Sequence, residues 1–450
     1  MGEMAQKEKE EAAEDITPPA GPRLSRNKSL TLGLSLAHLL LWVFLAYSTI
    51  GWMLPLLKYG STFGFYQSPD GGRRIVKIVD FPFHFNFVKM AWQRRTTVPL
   101  GSSIYSVENH LLVTFEWAHK KEIYGSLHFG YSPTMLWVLA PLLPFSHAMA
   151  YFLFNSAGLL AIFWMTRPSR SRWGLGLAPF YSSIAKGCFI LGQTALVTGA
   201  GLLFVAEKSG EKSRATWRGA AIPGAALWAL SAKPPIALTA AAVLVGLREW
   251  RTLIVAGGMT IVSTLAITPL LGPHWVRDYL RLLQSYDLVH ASPLFSWAIR
   301  PEYMANLRAI LNVDAGLPDN IASSASALVW FLTLAYTAIA GLRSRATGAA
   351  LWAMGIFSYL LFCPHVTPTE ELQVVVIFAL CVTARGGFSL RQILLLVTLP
   401  LLPFLASQSS LAAGMRFPLF SIQLLLFLLF ATERRGLRGD LSPGPLPKSA

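Results

Sequence analysis

Apolar runs close to the length needed to cross about 30 Å of hydrocarbon recur along the chain from Leu30 to Phe430. The first, Leu30 to Leu57, is too long for a signal-peptide core and has no small-residue cleavage site, so it reads as a retained helix. From Gln193 onward a hydrophobic run alternates with a basic cluster and then a pair of runs. The clusters are Lys208/Lys212/Arg214/Arg218, Arg248/Arg251, Arg343/Arg345, Arg385/Arg391 and Arg434/Arg435/Arg438. Placing all five in the cytoplasm puts Lys233, the polar stretch from Gly272 to Ser323, His365 and the "SQSS" at 407–410 outside. Between Gly130 and Gly192, three apolar stretches separated by "PFSH" and "RPSRSR" break the parity. Either one stretch is re-entrant or interfacial, or one junction is misplaced. Both repairs leave about 12 spans and an all-α polytopic membrane protein.

The connection after the first helix, residues 58–128, then lies outside and carries Asp80, and a second outer loop covers 272–322. Within the first, "DFPFHFNF" alternates polar residues with Phe, which by periodicity alone favours a strand. Asp80 as N-cap with Pro82 in the first turn favours a helix start instead. With no second strand-like run nearby, the helix is preferred, lying in the membrane interface with its aromatics in the headgroup region.

Composition fits this picture. The 450 residues are 53% hydrophobic and 14% charged, with a mean hydropathy of +0.47, above the range of a soluble globular chain. The net charge of +15 does not indicate nucleic acid, because the cations fall in clusters between apolar segments. Residues 1–29, polar and rich in Glu, Lys, Ala and Pro, read as a disordered tail held in the cytoplasm by Arg23, Arg26 and Lys28; residues 433–450 read as a further cytoplasmic tail. Cys188, Cys363 and Cys381 lie in or beside apolar segments without CxxC spacing, as small core residues do.

Acids are scarce outside the tail, and no DxD or ExD pair stands among them to hold a metal. Asp80 differs from an ordinary loop acid in its aromatic neighbours, which desolvate a carboxylate and make it a better base. Gln193 in "LGQ", Lys233 in "SAKPP", Arg308 in "MANLRAIL" and His365 in "CPHVTPTEEL" all fall at the outer ends of apolar runs. A lysine at a helix end is most often a snorkelling anchor, and a lone histidine there a structural group. Their shared face with Asp80 marks a polar site over a membrane domain.

Five stretches, "VDFPFHFNFVKMAW" with "SSIYS" downstream, "FGYSPTMLWVLAPLLPF", "ILGQTALVTGAGLLF", "LSAKPPIALTAAAVLVGLREWR", and "YMANLRAIL" with "LFCPHVTPTEELQVVV", resemble in order the polytopic GT-C glycosyltransferases. Among these the likeness is to glycosyltransferase family 87, the polyprenyl-phosphate-mannose-dependent α-mannosyltransferases, and it spans about residues 35 to 430. The resemblance implies a GT-C domain over 30–432 in the plasma (inner) membrane, with its active site on the outer or periplasmic side. It implies Asp80 as general base and a polyprenyl-phosphate sugar as donor, whose lipid tail lies between helices. Membrane lipid and a glycolipid or envelope glycan acceptor would be its partners, with no metal and no cofactor. Lys233, Arg308 and His365 would meet the developing phosphate charge and Gln193 would position the donor, with His84, Tyr131 and Glu370 as further substrate contacts. The family's tyrosine-proline-proline element stands here as Tyr131-Ser132-Pro133, Pro235 follows the "KP" element, and Thr369-Glu370 replaces a tyrosine-aspartate pair. The rival reading is a transporter or flippase of a lipid-linked glycan; a third is an inactive subunit of an assembly.

Overall fold

The computed structural model describes residues 43, 66–67, 73–74, 80–93, 103–105, 130–166, 194–272, 274–284, 304–344, 346–366, 370 and 416–432. Both tails, most of the first apolar segment, and 167–193 with "RPSRSR" and Gln193 lie outside the described residues.

Nearly all described elements are helices. Two-residue strands β1 (Tyr66–Gln67) and β2 (Arg73–Arg74) pair antiparallel within the 58–128 connection, a small ladder in a region expected to hold helices alone. The helices are α1 (Asp80–Gln93), α2 (Thr134–Leu139), α3 (His147–Thr166), α4 (Ala195–Lys208), α5 (Glu211–Ala215), α6 (Trp217–Leu230) and α7 (Pro234–Gly246). They continue with α8 (Trp250–Leu271), α9 (Trp275–Gln284), α10 (Leu307–Ala309), α11 (Asp319–Leu342), α12 (Gly348–Phe362) and α13 (Arg416–Thr432). Local chemistry starts several of them. Thr216, Asn306 and Thr347 each accept a hydrogen bond from the amide three residues on, at 3.0, 3.0 and 3.2 Å, capping α6, α10 and α12. α7 opens on Pro234-Pro235, which need no amide partner there and are already set to a helical φ.

Long helices pack in neighbouring pairs: α6 with α8, α7 with α11, α3 with α4, α11 with α12 and α12 with α13. Contacts at their ends show that the chain alternates direction. Arg248 Nη2 donates to the Leu342 carbonyl at 2.8 Å, and Arg214 faces Glu249 at 3.7 Å, joining the basic turns at one end. At the other, the Ser132 amide donates to the Ala232 carbonyl and that of Ile104 to the Leu271 carbonyl, both at 3.0 Å. Lys233, Arg308 and His365 all belong to this second end, opposite the basic turns.

α8 and α11, with 22 and 24 residues, are long and apolar enough to cross a membrane, and only 11% and 33% of their apolar stretches are buried. A helix in the core of a soluble protein would instead be covered on most sides. Ile261, Val262 and Leu265 of α8 and Leu328 and Leu332 of α11 are exposed apolar side chains.

Three expectations need correction, and one left open, the apolar stretches after Gly130, is narrowed. The described phenylalanines of α1, Phe81, Phe85 and Phe87, are buried in the protein core and not spread in an interface. Phe81 stacks on Phe85 at 5.6 Å and meets Tyr151 and Phe154 of α3 at 5.7 and 5.2 Å, because a ring gains as much by packing on rings as by lying among headgroups. The first apolar stretch after Gly130 is a six-residue helix and a three-residue 3₁₀ turn, too short to cross. α11 begins at Asp319, four residues inside the stretch read as polar loop. Finally, α6 and α7 have 14 and 13 residues, about 20 Å of helix each. Either is shorter than the about 30 Å of hydrocarbon that a crossing helix spans.

α7 and α11 cross at glycines: a Cβ on Gly341 would lie 2.5 Å from the Gly246 Cα. Backbone cannot yield as a flexible side chain does. Gly341→Val is therefore expected to lower the thermal midpoint in detergent, by the about 1–3 kcal/mol typical of overpacking. Gly258→Ala in α8, where an added Cβ meets nothing within 4 Å, is the control and should be neutral or mildly stabilising. Equal midpoints for both variants would show that the glycine contact does not hold the helices.

Candidate active site

Six chain segments meet at the end opposite the basic turns. Lys233, in extended backbone just before α7, pairs through Nζ with the fully buried Glu370, whose second oxygen accepts from the Tyr359 hydroxyl. A carboxylate out of water needs such partners on both oxygens. Arg308, at 2% exposure, is held bidentately by Asp319, from Nε at 2.8 Å and Nη2 at 2.5 Å. Its Nη1 reaches the Pro364 carbonyl at 3.3 Å and His365 Nδ1 at 3.4 Å. A guanidinium has no acceptor, so His365 Nδ1 must accept, and the neutral ring carries its proton on Nε2. Asn306 Nδ2 donates to the Cys363 carbonyl at 2.9 Å, completing the attachment of the 363–365 turn to α10. His365 itself is exposed.

On the other side, the His84 ring of α1 meets Tyr131 edge-on at 4.6 Å, and the Tyr131 and Thr194 hydroxyls are 3.2 Å apart. The serine in "YSP" has a structural use. Ser132 donates its hydroxyl to the Ser231 carbonyl at 2.6 Å as well as its amide to Ala232, two bonds that a proline cannot donate. Thr134 adds a contact to the Ser231 hydroxyl at 2.9 Å. The turn that presents Lys233 is thus tied to the segment that presents Tyr131.

Between these groups lies a cavity of about 280 Å³. It follows α4 from Thr194 to Phe204, about 15 Å of helix, and is walled almost wholly by apolar groups, including Met135, Phe154, Val197 and Leu230. Ala200, Gly201, Ala226 and Ala229 leave the space, and Tyr131, Thr194 and Lys233 supply the polar groups.

The segments that carry Ser103 and Asp278 also touch. Ser103 donates to Asp278 at 2.7 Å, Tyr105 packs 4.9 Å from Tyr279, and Tyr279 donates to the Gly130 carbonyl at 3.4 Å. Burial pushes the Tyr279 hydroxyl up to about 12, and burial beside Tyr279 raises that of Tyr105 as well. Both phenols are favoured neutral in the fold, so the stability they add is complete below the ordinary value near 10 and fades as the pH climbs toward about 12. The thermal midpoint should hold to pH 9 and fall by pH 11, with a smaller fall in Tyr279→Phe. An identical fall in that variant would exclude Tyr279 as its source.

Of the residues picked from the sequence, the structure gathers Lys233, Glu370, Arg308 and His365 on one side of this end and His84 and Tyr131 on the other. Asp80 is the first residue of α1, one turn before His84; its side chain and the whole of Gln193 lie outside the described residues. Sequence reading missed Tyr359, Asn306 and Thr194, which have no distinguishing local pattern. It also missed buried Arg416, which bonds Asp314 at 2.6 Å and the Met304 carbonyl at 3.1 Å. An arginine opening an apolar run far from the basic clusters was the available signal. Asp314 and Asp319, read as loop acids, are partners of buried arginines. Comparison with protein-family models, curated proteins and solved structures returns no match for this chain.

Proposed function

We propose that this chain is an inverting glycosyltransferase that moves a sugar, with mannose as the first candidate, from a polyprenyl-phosphate donor to a glycolipid or envelope glycan acceptor on the outer face of the plasma membrane. The observation that carries the reading is the cavity: an apolar channel with a tyrosine, a threonine and a lysine among its lining suits a prenyl chain that ends in phosphate. Asp80, at the head of the helix whose His84 reaches Tyr131, takes the proton of the acceptor hydroxyl. The acceptor oxygen bonds to the anomeric carbon while the bond from that carbon to the phosphate oxygen breaks and the phosphate keeps the electron pair. Attack from the face opposite the phosphate inverts the centre, and the phosphate departs without a general acid.

Lys233 and Arg308 each hold a carboxylate already, so the site is charge-balanced before a donor enters. Donor phosphate draws Lys233 toward itself while Glu370 keeps its bond to Tyr359. Gln193, adjacent in sequence to Thr194, positions the donor, and the exposed His365 faces the departing charge through its Nε2 proton.

The transporter reading has one observation in its favour: a buried Lys–Glu pair within a membrane domain is also the mark of a translocation path. One experiment separates the two. The full chain in lipid nanodiscs is given radiolabelled mannosyl-phosphoryl-polyprenol and a crude envelope-lipid extract. Label appearing in acceptor lipid supports transfer. Intact donor, with movement of lipid-linked glycan across vesicles containing the protein, supports transport.

A further inference from the structure

We propose that the basic turn at the opposite end of the bundle binds the phosphate headgroup of an anionic phospholipid. Six cations, Lys208, Lys212, Arg214, Arg218, Arg248 and Arg251, stand on the α4–α5, α5–α6 and α7–α8 connections and their flanks. The turn is built rather than loose. Glu249, at 1% exposure, lies beneath it, facing Arg214 and accepting from Thr252 at 3.2 Å. Ser213 closes the start of α5 through bonds of 2.7 and 2.8 Å with Gly210, and Arg251 donates to the Arg214 carbonyl while lying 5.7 Å over the Trp217 ring.

Lys212 and Arg218 are exposed beside this framework, as is Trp217 at 56%. Trp250, similarly exposed, begins α8, and the uncovered apolar side chains of Ile254, Ile261 and Val262 follow along that helix. Cations and indoles at the end of a bare apolar helix match a phospholipid group by group: phosphate on Lys212 and Arg218, the glycerol region at the tryptophans, acyl chains along α8. Charge complementarity selects an anionic lipid over a zwitterionic one, and the continuous apolar surface selects a lipid over a free anion. The proposal is independent of the glycosyltransferase reading, since it uses none of the residues at the end that carries Lys233.

The test is native mass spectrometry of the full chain in detergent, titrated separately with phosphatidylglycerol, phosphatidylcholine and inorganic phosphate. Phosphatidylglycerol is expected to bind in preference to phosphatidylcholine, and millimolar phosphate is expected not to displace it. Lys212→Gln/Arg218→Gln should weaken phosphatidylglycerol binding about 30-fold, and Arg218→Gln alone about fivefold, from about 1 kcal/mol per cation. Both side chains are exposed, so the thermal midpoints should not move. Arg277→Gln/Arg281→Gln on α9, at the opposite end of the bundle, should leave binding unchanged. Equal affinity for both lipids, or wild-type binding by the double variant, overturns the proposal; displacement by inorganic phosphate replaces it with a small-anion site.

Discussion

Asp80→Asn is expected to lose sugar transfer by about 10²- to 10⁴-fold, the range of a general base, while donor binding stays close to wild type. The amide keeps the size of the side chain, but takes up no proton from an acceptor hydroxyl. A loss confined to turnover is therefore the signature of the base. Single-turnover transfer with labelled mannosyl-phosphoryl-polyprenol in nanodiscs, beside donor binding by filtration, measures both. Unimpaired transfer would remove Asp80 from the mechanism. Loss of transfer together with donor binding would make it a donor contact or a structural cap instead.

The second large effect is expected at Glu370. Glu370→Leu leaves the Lys233 ammonium, only 15% exposed, without the carboxylate that it pairs with. Breaking one side of a buried ion pair costs about 3–5 kcal/mol, whereas replacing both partners by apolar groups of similar volume is often neutral. The single variant should therefore unfold at a distinctly lower temperature in detergent, and Lys233→Met/Glu370→Leu should recover most of the loss. Neither protein should transfer sugar, because the phosphate then meets no lysine (double variant) or a displaced one (single variant). A stable, inactive double variant separates the chemical use of Lys233 from its structural one. Full activity in that protein would show that the phosphate site lies elsewhere.

The parts of this molecule that could be read from its sequence are those governed by local rules. Asp80 followed by Pro82 marked a helix start, and α1 begins at Asp80. Basic clusters between apolar runs sorted Lys233, Arg308 and His365 away from Arg214 and Arg251, and the alternating helices keep that separation. The pairing of Lys233 with Glu370 was hidden because the two lie far apart in the sequence and no spacing rule links them. Separations of 102 and 99 positions concealed Arg416 with Asp314 and Ser132 with Ser231. The break at "SAKPP" was legible, but helix length was not: the runs on either side of it were placed as spans, and α6 and α7 have only 14 and 13 residues. The fate of the α1 phenylalanines was undecided by pattern alone, since protein core and interface both accept rings.

The unequal helices bear on the lipid as much as on the protein. α8 and α11 present about 33 and 36 Å of helix to their surroundings, α6 and α7 only about 20 Å each. A bilayer that fits the first pair is too thick for the second, and thinning or tilting relieves such a mismatch at a fraction of a kcal/mol per Å. In the outward-facing reading, the leaflet dips over Lys233, and a lipid-borne phosphate descends to the lysine without leaving the headgroup layer. Short-chain or thin membranes would then shorten the donor's path, and thick ones would lengthen it.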